Sequence, residues 1–300
     1  MNRSNTFRKI YKNKMFIHAQ ERKVVSFPYL IDMELTNHCN LKCLFCPGAL
    51  AMTRQKGFMD SALFETVVDE CAKHDTPIRF IRWGEPFLHP NIINFIKYIK
   101  KEKKLKLHIT NNGLAIKEKH MKALVGLRVD SIIFSMQGAT KKEYEAMRDN
   151  KRYDELVKNI KKLIKIRGNR PRPHIGITST MLEDTPEDIK KFRKLWEGIV
   201  DEVGIGKTVP FWNPMRLRKL YGAEYTPCSE VYQKLSVDWD GKITACCGDY
   251  DNLLTIGEIQ DITLKEAWNG KHLKAIRTLL DNNMHRCFTK CSTCTHAYDF

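Results

Sequence analysis

The sequence predicts an α/β protein built on a parallel sheet and followed by a smaller, cysteine-rich unit. Three observations carry that prediction. Short β-rich runs alternate with longer helical patterns from residue 31 to about 207, the unusual residues fall just after the predicted strand ends, and six of the ten cysteines lie beyond residue 227.

The strands are expected near 31–36 (IDMELT), 78–83 (IRFIRW), 105–110 (LKLHIT), 131–135 (SIIFS), 174–180 (HIGITST) and 201–207. Helices near 60–73, 91–103, 115–126, 140–166 and 185–198 fall between them, the pattern of repeated βα units. Crossovers of this length build either an open doubly wound sheet or a barrel, and six units fall short of the eight that close a full barrel. In both, functional groups collect at the carboxyl ends of the strands. Residues 1–30 read as a basic lead-in helix, with Phe7, Ile10, Tyr11 and Met15 near helical spacing; a membrane-touching or targeting peptide is the other reading. Residues 208–227, rich in proline, aromatics and arginine, read as a connection. A second unit covers 228–300: LSVDWDGKITACC looks like a hairpin turning at Asp240-Gly241, and a helix near 263–281 precedes the terminal cysteines.

Composition narrows the class. With 42% hydrophobic and 29% charged residues the chain is globular. No apolar run reaches the roughly 18 residues of a membrane span, and the N-terminus lacks a secretory core, so the cytosol is expected. Ten cysteines in a reducing compartment point to metal ligation and not to disulfides. The net charge of +16 favours an anionic partner, and 158–172 carries seven basic residues and no acid. These stretches lack interleaved aromatics and read first as solvated outer faces of helices; a phosphate-bearing or nucleotide-linked small molecule is the next reading, ahead of nucleic acid.

The chemistry is concentrated in Cys39-Asn-Leu-Lys-Cys43-Leu-Phe-Cys46, three thiols within eight residues on the loop after the first strand. Zinc and iron–sulfur clusters both take thiolates, but structural zinc wants a fourth ligand, and His38 adjoins Cys39 too closely to turn back. Three ligands on a four-iron cluster leave one iron open to a small chelator. The Cys-x3-Cys-x2-Cys spacing, with the aromatic Phe45 before the last cysteine, resembles the radical S-adenosylmethionine (SAM) superfamily.

The resemblance spans residues 31–298 and implies a partial (β/α)6 barrel. It also implies a catalytic [4Fe-4S] cluster on Cys39, Cys43 and Cys46, and SAM cleaved to a 5′-deoxyadenosyl radical that abstracts hydrogen from substrate. Gly84-Glu85-Pro86 resembles the family's glycine-glutamate-proline motif, with Trp83 in place of its first glycine, and would receive the amino group of SAM on a carboxylate and backbone acceptors. Asn112 stands where the family meets the ribose hydroxyls. Ser135 begins a serine-x-aspartate-glycine-like segment in which Gln137 replaces the aspartate, and Arg148 matches an arginine that pairs with the methionine carboxylate.

Beyond residue 227, Cys228, Gly241-x4-Cys246, Ile-Gly-Glu-Ile, the Leu264–Trp268 segment and Cys291-x2-Cys294 resemble the small α+β SPASM or twitch domain. Their spacing is close to that of a radical aminocyclitol dehydrogenase of the group. The shorter form of that domain implies one auxiliary [4Fe-4S] cluster on Cys228, Cys246, Cys291 and Cys294, with Cys247 or Cys287 as substitutes; a zinc ribbon is the competing reading. Cys71 reads as a core residue and His89 as a turn histidine.

Three functions follow as expectations. The first is hydrogen abstraction from a sugar, aminocyclitol or nucleotide-linked carbohydrate, ending in oxidation, dehydration or epimerisation, with flavodoxin or ferredoxin as electron donor. The second is peptide maturation, weakened because 30 residues before the first strand are too few for a peptide-recognition domain. The third is a non-catalytic iron–sulfur or zinc protein that binds RNA.

Overall fold

The computed structural model describes Asn5, Phe7 and residues 16–181, 185–207, 227–292 and 294. Most of the expected lead-in helix and all but the last residue of the 208–227 connection lie outside the described residues. Of the lead-in, Phe16–Gln20 is helical (α1), and Phe7 is buried with its ring 5.1 Å from that of His108.

Nine strands form one open sheet in the order β6-β5-β4-β3-β2-β1-β7-β8-β9. The first six are β1 (Leu30–Met33), β2 (Ile78–Phe80), β3 (Leu107–Asn111), β4 (Ser131–Gln137), β5 (His174–Met181) and β6 (Glu202–Lys207), each parallel to its neighbours. The connections carry α2 (Pro47–Leu50), α3 (Ser61–Lys73), α4 (Ile92–Lys97), α5 (Glu118–Gly126), α6 (Lys141–Arg148), α7 (Tyr153–Arg167) and α8 (Pro186–Trp196). The sheet does not close, and the six βα units make the expected partial barrel.

Its two faces are written in the strands. One register row, Met33–Phe80–Ile109–Ile132–Ile175, is wholly buried in the core beneath the helices. The adjacent row, Asp32–Arg79–His108–Ser131–His174, points the other way because successive strand side chains alternate. It is polar throughout, and ion pairs and hydrogen bonds run along it: Arg79 grips Asp32 at 2.6 and 2.7 Å, and His108 Nδ1 meets Ser131 Oγ at 2.5 Å.

Two expected helices are divided. The pattern read as one helix over 140–166 breaks at Asp149, which adopts the left-handed conformation (φ 51°) that an aspartate tolerates, so α6 ends at Arg148. The expected helix over 263–281 is α9 (Leu264–Asn269) and α10 (Lys271–Asp281), separated by the extended Gly270. A short α11 (Thr289–Ser292) carries Cys291. The Asp240-Gly241 hairpin joins β7 (Lys234–Val237) to β8 (Lys242–Thr244), and Ile-Gly-Glu lies in a third strand, β9 (Thr255–Glu258). The hairpin does not stand apart: β7 pairs in parallel with β1 and continues the barrel sheet. No helix among the described residues is long and apolar enough to cross a membrane.

Candidate active site

The cysteine loop begins from a pinned base. Thr36 Oγ1 donates to Gly57 O (2.6 Å), Asn37 Nδ2 donates to Gln55 O (2.8 Å), and Asn37 Oδ1 accepts from Gly57 N (2.9 Å). The loop then places Cys39 exposed, Cys43 buried, and Cys46 at the start of α2, where Pro47 suits the first helical turn. Although the Cys39 side chain is exposed, desolvation of its sulfur within the loop, with Glu85, Cys43 and Cys46, raises the thiol to about 11; desolvation and then Cys43 raise Cys46. Thiols held this close suit a shared cationic centre, which would make their thiolate forms favourable together. Cys71, by contrast, lies wholly buried among core side chains on α3.

The Gly84-Glu85-Pro86 segment is locked onto that loop. Glu85 N donates to His38 O at 2.8 Å, and a Cβ on Gly84 would stand 1.9 Å from Thr36 O. The Glu85 carboxylate faces the chain: Oε1 accepts from Phe87 N (3.0 Å) and Oε2 from Asn112 N (2.7 Å), so it staples the end of β2 to the end of β3. Burial raises its pKa to about 7, against the lowering effect of those two N–H groups and Arg148. A folded value above the ordinary 4.5 means that this contribution to stability is complete below about pH 4.5 and is lost as pH rises through about 7. The window is worth on the order of 3 kcal/mol. Urea unfolding of the cluster-free protein at pH 4.5 and pH 8 is expected to show most of that decline in wild type, about 1 kcal/mol of it between pH 6 and pH 8, and a flatter response in Glu85→Gln; parallel slopes would refute it.

Asn112, at the end of β3, donates from Nδ2 to Asn40 Oδ1 (2.8 Å) and lies 3.8 Å from Cys39 Sγ. Arg148 is not a solvated helix arginine. The early end of α6 turns it inward, where it is buried, with Nη1 3.5 Å from Cys43 Sγ and Nη2 donating to Ser135 O at 2.9 Å. Its guanidinium lies 5.3 Å from the Phe45 ring. Its Nε is buried with no partner among the described residues, a donor suited to a carboxylate. Cys39, Cys43, Phe45, Glu85, Asn112, Ser135 and Arg148 therefore form one connected set. Gln137 belongs elsewhere: Nε2 donates to Thr180 O (2.8 Å) and Oε1 accepts from Thr180 Oγ1 (2.7 Å), tying β4 to β5. His89 is a structural residue, its Nε2 bonded to Met59 O (2.8 Å) and its Nδ1 accepting from Asn91 N (3.1 Å).

In the second unit, Cys228, Cys246, Cys291 and Cys294 line one small cavity walled by Val231 and Leu254. Burial pushes Cys228 up to about 12 and Cys291 up to about 11, with Cys294 adding to both; Cys246 is raised well above its ordinary value by burial and then by Cys247, Cys228 and Cys294. Cys247 turns its thiol to Glu230 (3.5 Å), and Cys287 is exposed. Among the described residues no three His, Cys, Asp or Glu side chains converge on the position of a single metal ion. A four-iron cluster spaces its sulfurs more widely than one ion does, so that finding bears on a mononuclear site and not on a cluster.

A buried ionic group beside both cysteine regions has no counterpart in the motif reading: Glu34, Arg54, Arg82 and Asp238. Its sequence signal was faint: Glu34, Arg82 and Asp238 are charged residues inside segments that read as strands, and Arg54 carried no such mark.

Residues 33–206 match the family model of the Radical SAM superfamily, and residues 228–295 match SPASM, an iron–sulfur cluster-binding domain. A relative named S-adenosyl-L-methionine-dependent 2-deoxy-scyllo-inosamine dehydrogenase, from Niallia circulans, is 27% identical over 43% of this chain, and the match spans half of that protein. A cofactor-modifying protein of tungsten-containing aldehyde ferredoxin oxidoreductase, from Pyrococcus furiosus, is 23% identical over 87% of this chain and 86% of its own length. Among solved structures, BtrN in complex with AdoMet and 2-DOIA superposes with a TM-score of 0.58 at 19% identity, covering 89% of this chain and 92% of BtrN. Streptococcus suis SuiB bound to S-adenosylmethionine superposes with a TM-score of 0.68 at 17% identity, covering 89% of this chain and 71% of SuiB. SAM and a [4Fe-4S] cluster are the cofactors of the first domain, and the second binds auxiliary iron–sulfur clusters. The loop thiols, the open Arg148 donor and the four-cysteine cavity fit that chemistry, and the chain belongs to the radical SAM superfamily, with a SPASM domain at its C-terminal end.

Proposed function

We propose that the chain abstracts hydrogen from a small, hydroxyl-rich molecule, a sugar or aminocyclitol in anionic or nucleotide-linked form, and oxidises it. The observation that carries this reading is the likeness, 27% identical over 43% of this chain, to an S-adenosyl-L-methionine-dependent 2-deoxy-scyllo-inosamine dehydrogenase, which acts on an aminocyclitol. The surplus of 51 basic over 35 acidic residues supports an anionic form.

Cys39, Cys43 and Cys46 would hold the catalytic cluster, and Cys228, Cys246, Cys291 and Cys294 the second. Bound there, SAM and its cluster supply the hydrogen-abstracting carbon radical, and the second cluster supplies a one-electron acceptor. The chain's own residues bind and orient. Arg148 would take the methionine carboxylate through its open Nε, the backbone of 84–86 would receive the amino group because the Glu85 carboxylate is engaged elsewhere, and Asn112 would meet the ribose. Phe45 packs against the Arg148 guanidinium and fixes its direction. Reducing equivalents would come from a flavodoxin or ferredoxin.

Peptide maturation is the competing class. The TM-score to SuiB exceeds that to BtrN, but at these identities both report fold alone. The deciding measurement is 5′-deoxyadenosine release by reduced, reconstituted protein offered aminocyclitols, sugar phosphates, nucleotide sugars and cysteine- or serine-bearing peptides. Acceleration by an anionic carbohydrate is expected. Acceleration by peptides alone would sink the proposal.

A further inference from the structure

Arg82 follows β2 and precedes the Gly84 segment, and with Thr53, Arg54 and Trp83 it ties the two cysteine regions together. Its side chain is almost wholly buried. Nε and Nη2 donate to Asp238 Oδ1 at 3.0 and 2.7 Å, Nη1 donates to the carbonyls of Cys246 (2.9 Å) and Cys247 (3.0 Å), and Nη2 also reaches Asp249 O at 3.0 Å. The neighbouring Trp83 repeats the gesture, its Nε1 donating to Asp249 O at 3.1 Å. Asp238 Oδ2 faces Arg54 Nη1 at 3.1 Å, and Arg54 Nη2 grips both oxygens of Glu34 at 3.0 Å. Two acids and two guanidinium groups thus balance in charge.

Such a group is a poor way merely to stabilise a fold, because desolvating each ion costs several kcal/mol and apolar packing often serves as well. Arg82 also holds φ at +125°, a conformation that costs a non-glycine residue about 1–3 kcal/mol. Strain and buried charge converge on one outcome: a planar fork delivered to the carbonyls of a cysteine-bearing loop, from a backbone two residues before Gly84. Lysine cannot reproduce that fork.

We propose that Arg82 is a positioning residue that clamps the Cys246–Asp249 loop against the Gly84–Pro86 segment, and so sets the spacing between the two clusters and the reduction potential of the second. This rests on the assignment of Cys246 to the second cluster made above.

The test compares anaerobically reconstituted wild type, Arg82→Lys and Arg82→Gln by iron content, by potentiometric titration followed by EPR, and by the magnetic coupling between the two reduced clusters. The variants are expected to keep about eight irons. In Arg82→Gln, loss of the positive charge is expected to shift the second cluster's reduction equilibrium about tenfold toward the oxidised form, about 59 mV for one electron. Both variants are expected to show altered coupling, with the signal of the first cluster unmoved. Loss of the second cluster's iron alone also supports the clamp. A fully loaded Arg82→Gln with wild-type coupling and potential overturns it. Should that variant fail to fold, Arg82→Lys decides, since it keeps the charge and loses the fork; wild-type coupling there overturns the proposal. A wild type holding only about four irons overturns the reading of the second site and this proposal with it, whereas unchanged spectra in a loaded variant overturn this proposal alone.

Discussion

Replacing Cys39, Cys43 and Cys46 together by alanine is expected to give protein that holds about four irons where wild type holds about eight, and that makes no detectable 5′-deoxyadenosine under reduction. The loop offers no substitute ligand. His38, its nearest imidazole, is stacked on Phe58 with ring centroids 4.8 Å apart, and Asn40 and Asn112 bond to each other. The fold should survive the change. Cys39 is exposed and Cys46 half-buried, and only Cys43 packs in the core, so truncation costs about 1 kcal/mol or less at each position. Circular dichroism and thermal melts of the cluster-free proteins separate loss of chemistry from loss of structure. Zinc in place of iron, or deoxyadenosine from the triple variant, would falsify the assignment of these cysteines.

Much of this was legible in the sequence, and the reasons are local. The strand of residues 131–135 announces itself by its β-branched and aromatic run, and α3, α5 and α8 by their spacing, because burial against a sheet imposes those periods directly. The cysteine loop was legible because ligand geometry fixes short spacings. The division of 140–166 was not. Tyr144, Leu156, Ile160 and Leu163 are all buried, and nothing but Asp149 marks the turn between them. That hidden turn aims Arg148 at Cys43, so the placement of this arginine depended on the least legible feature. The parallel pairing of β7 with β1 was equally hidden, since an Asp-Gly turn specifies only the strands on either side of it. The Arg82–Asp238 group eluded the motif reading for a related reason: a charged residue in a strand pattern normally marks a solvent face, and its partner here lies 156 residues away.

Gly84→Ala should be the most damaging single substitution for the site's architecture. The added Cβ would meet Thr36 O at 1.9 Å, Thr36 C at 2.7 Å and Asn37 Cα at 2.8 Å, all backbone atoms that have no rotamer to change. Nor can the two segments part cheaply. Thr36 and Asn37 are held by three hydrogen bonds to Gln55 and Gly57, Glu85 N is held by His38 O, and the Glu85 carboxylate is held by Phe87 and Asn112. At roughly 1 kcal/mol per bond, separating them costs as much as the clash does, so about 3 kcal/mol or more of stability should be lost by either route. Two other glycines calibrate the effect. At Gly48 the Cβ would meet Trp83 O at 2.9 Å and Trp83 Cβ at 3.2 Å, so Gly48→Ala should cost about 1 kcal/mol; at Gly126, the last residue of α5, it meets nothing within 4 Å, and alanine should gain about 0.5 kcal/mol. Urea midpoints of the three cluster-free variants should follow that order, and SAM affinity of the reconstituted proteins should collapse only in Gly84→Ala. A stable Gly84→Ala would mean that the two segments separate more easily than their bonds indicate. An unstable one that binds SAM normally would place the cofactor away from this segment, because the same displacement that unfolds the packing moves the only backbone acceptors assigned to its amino group.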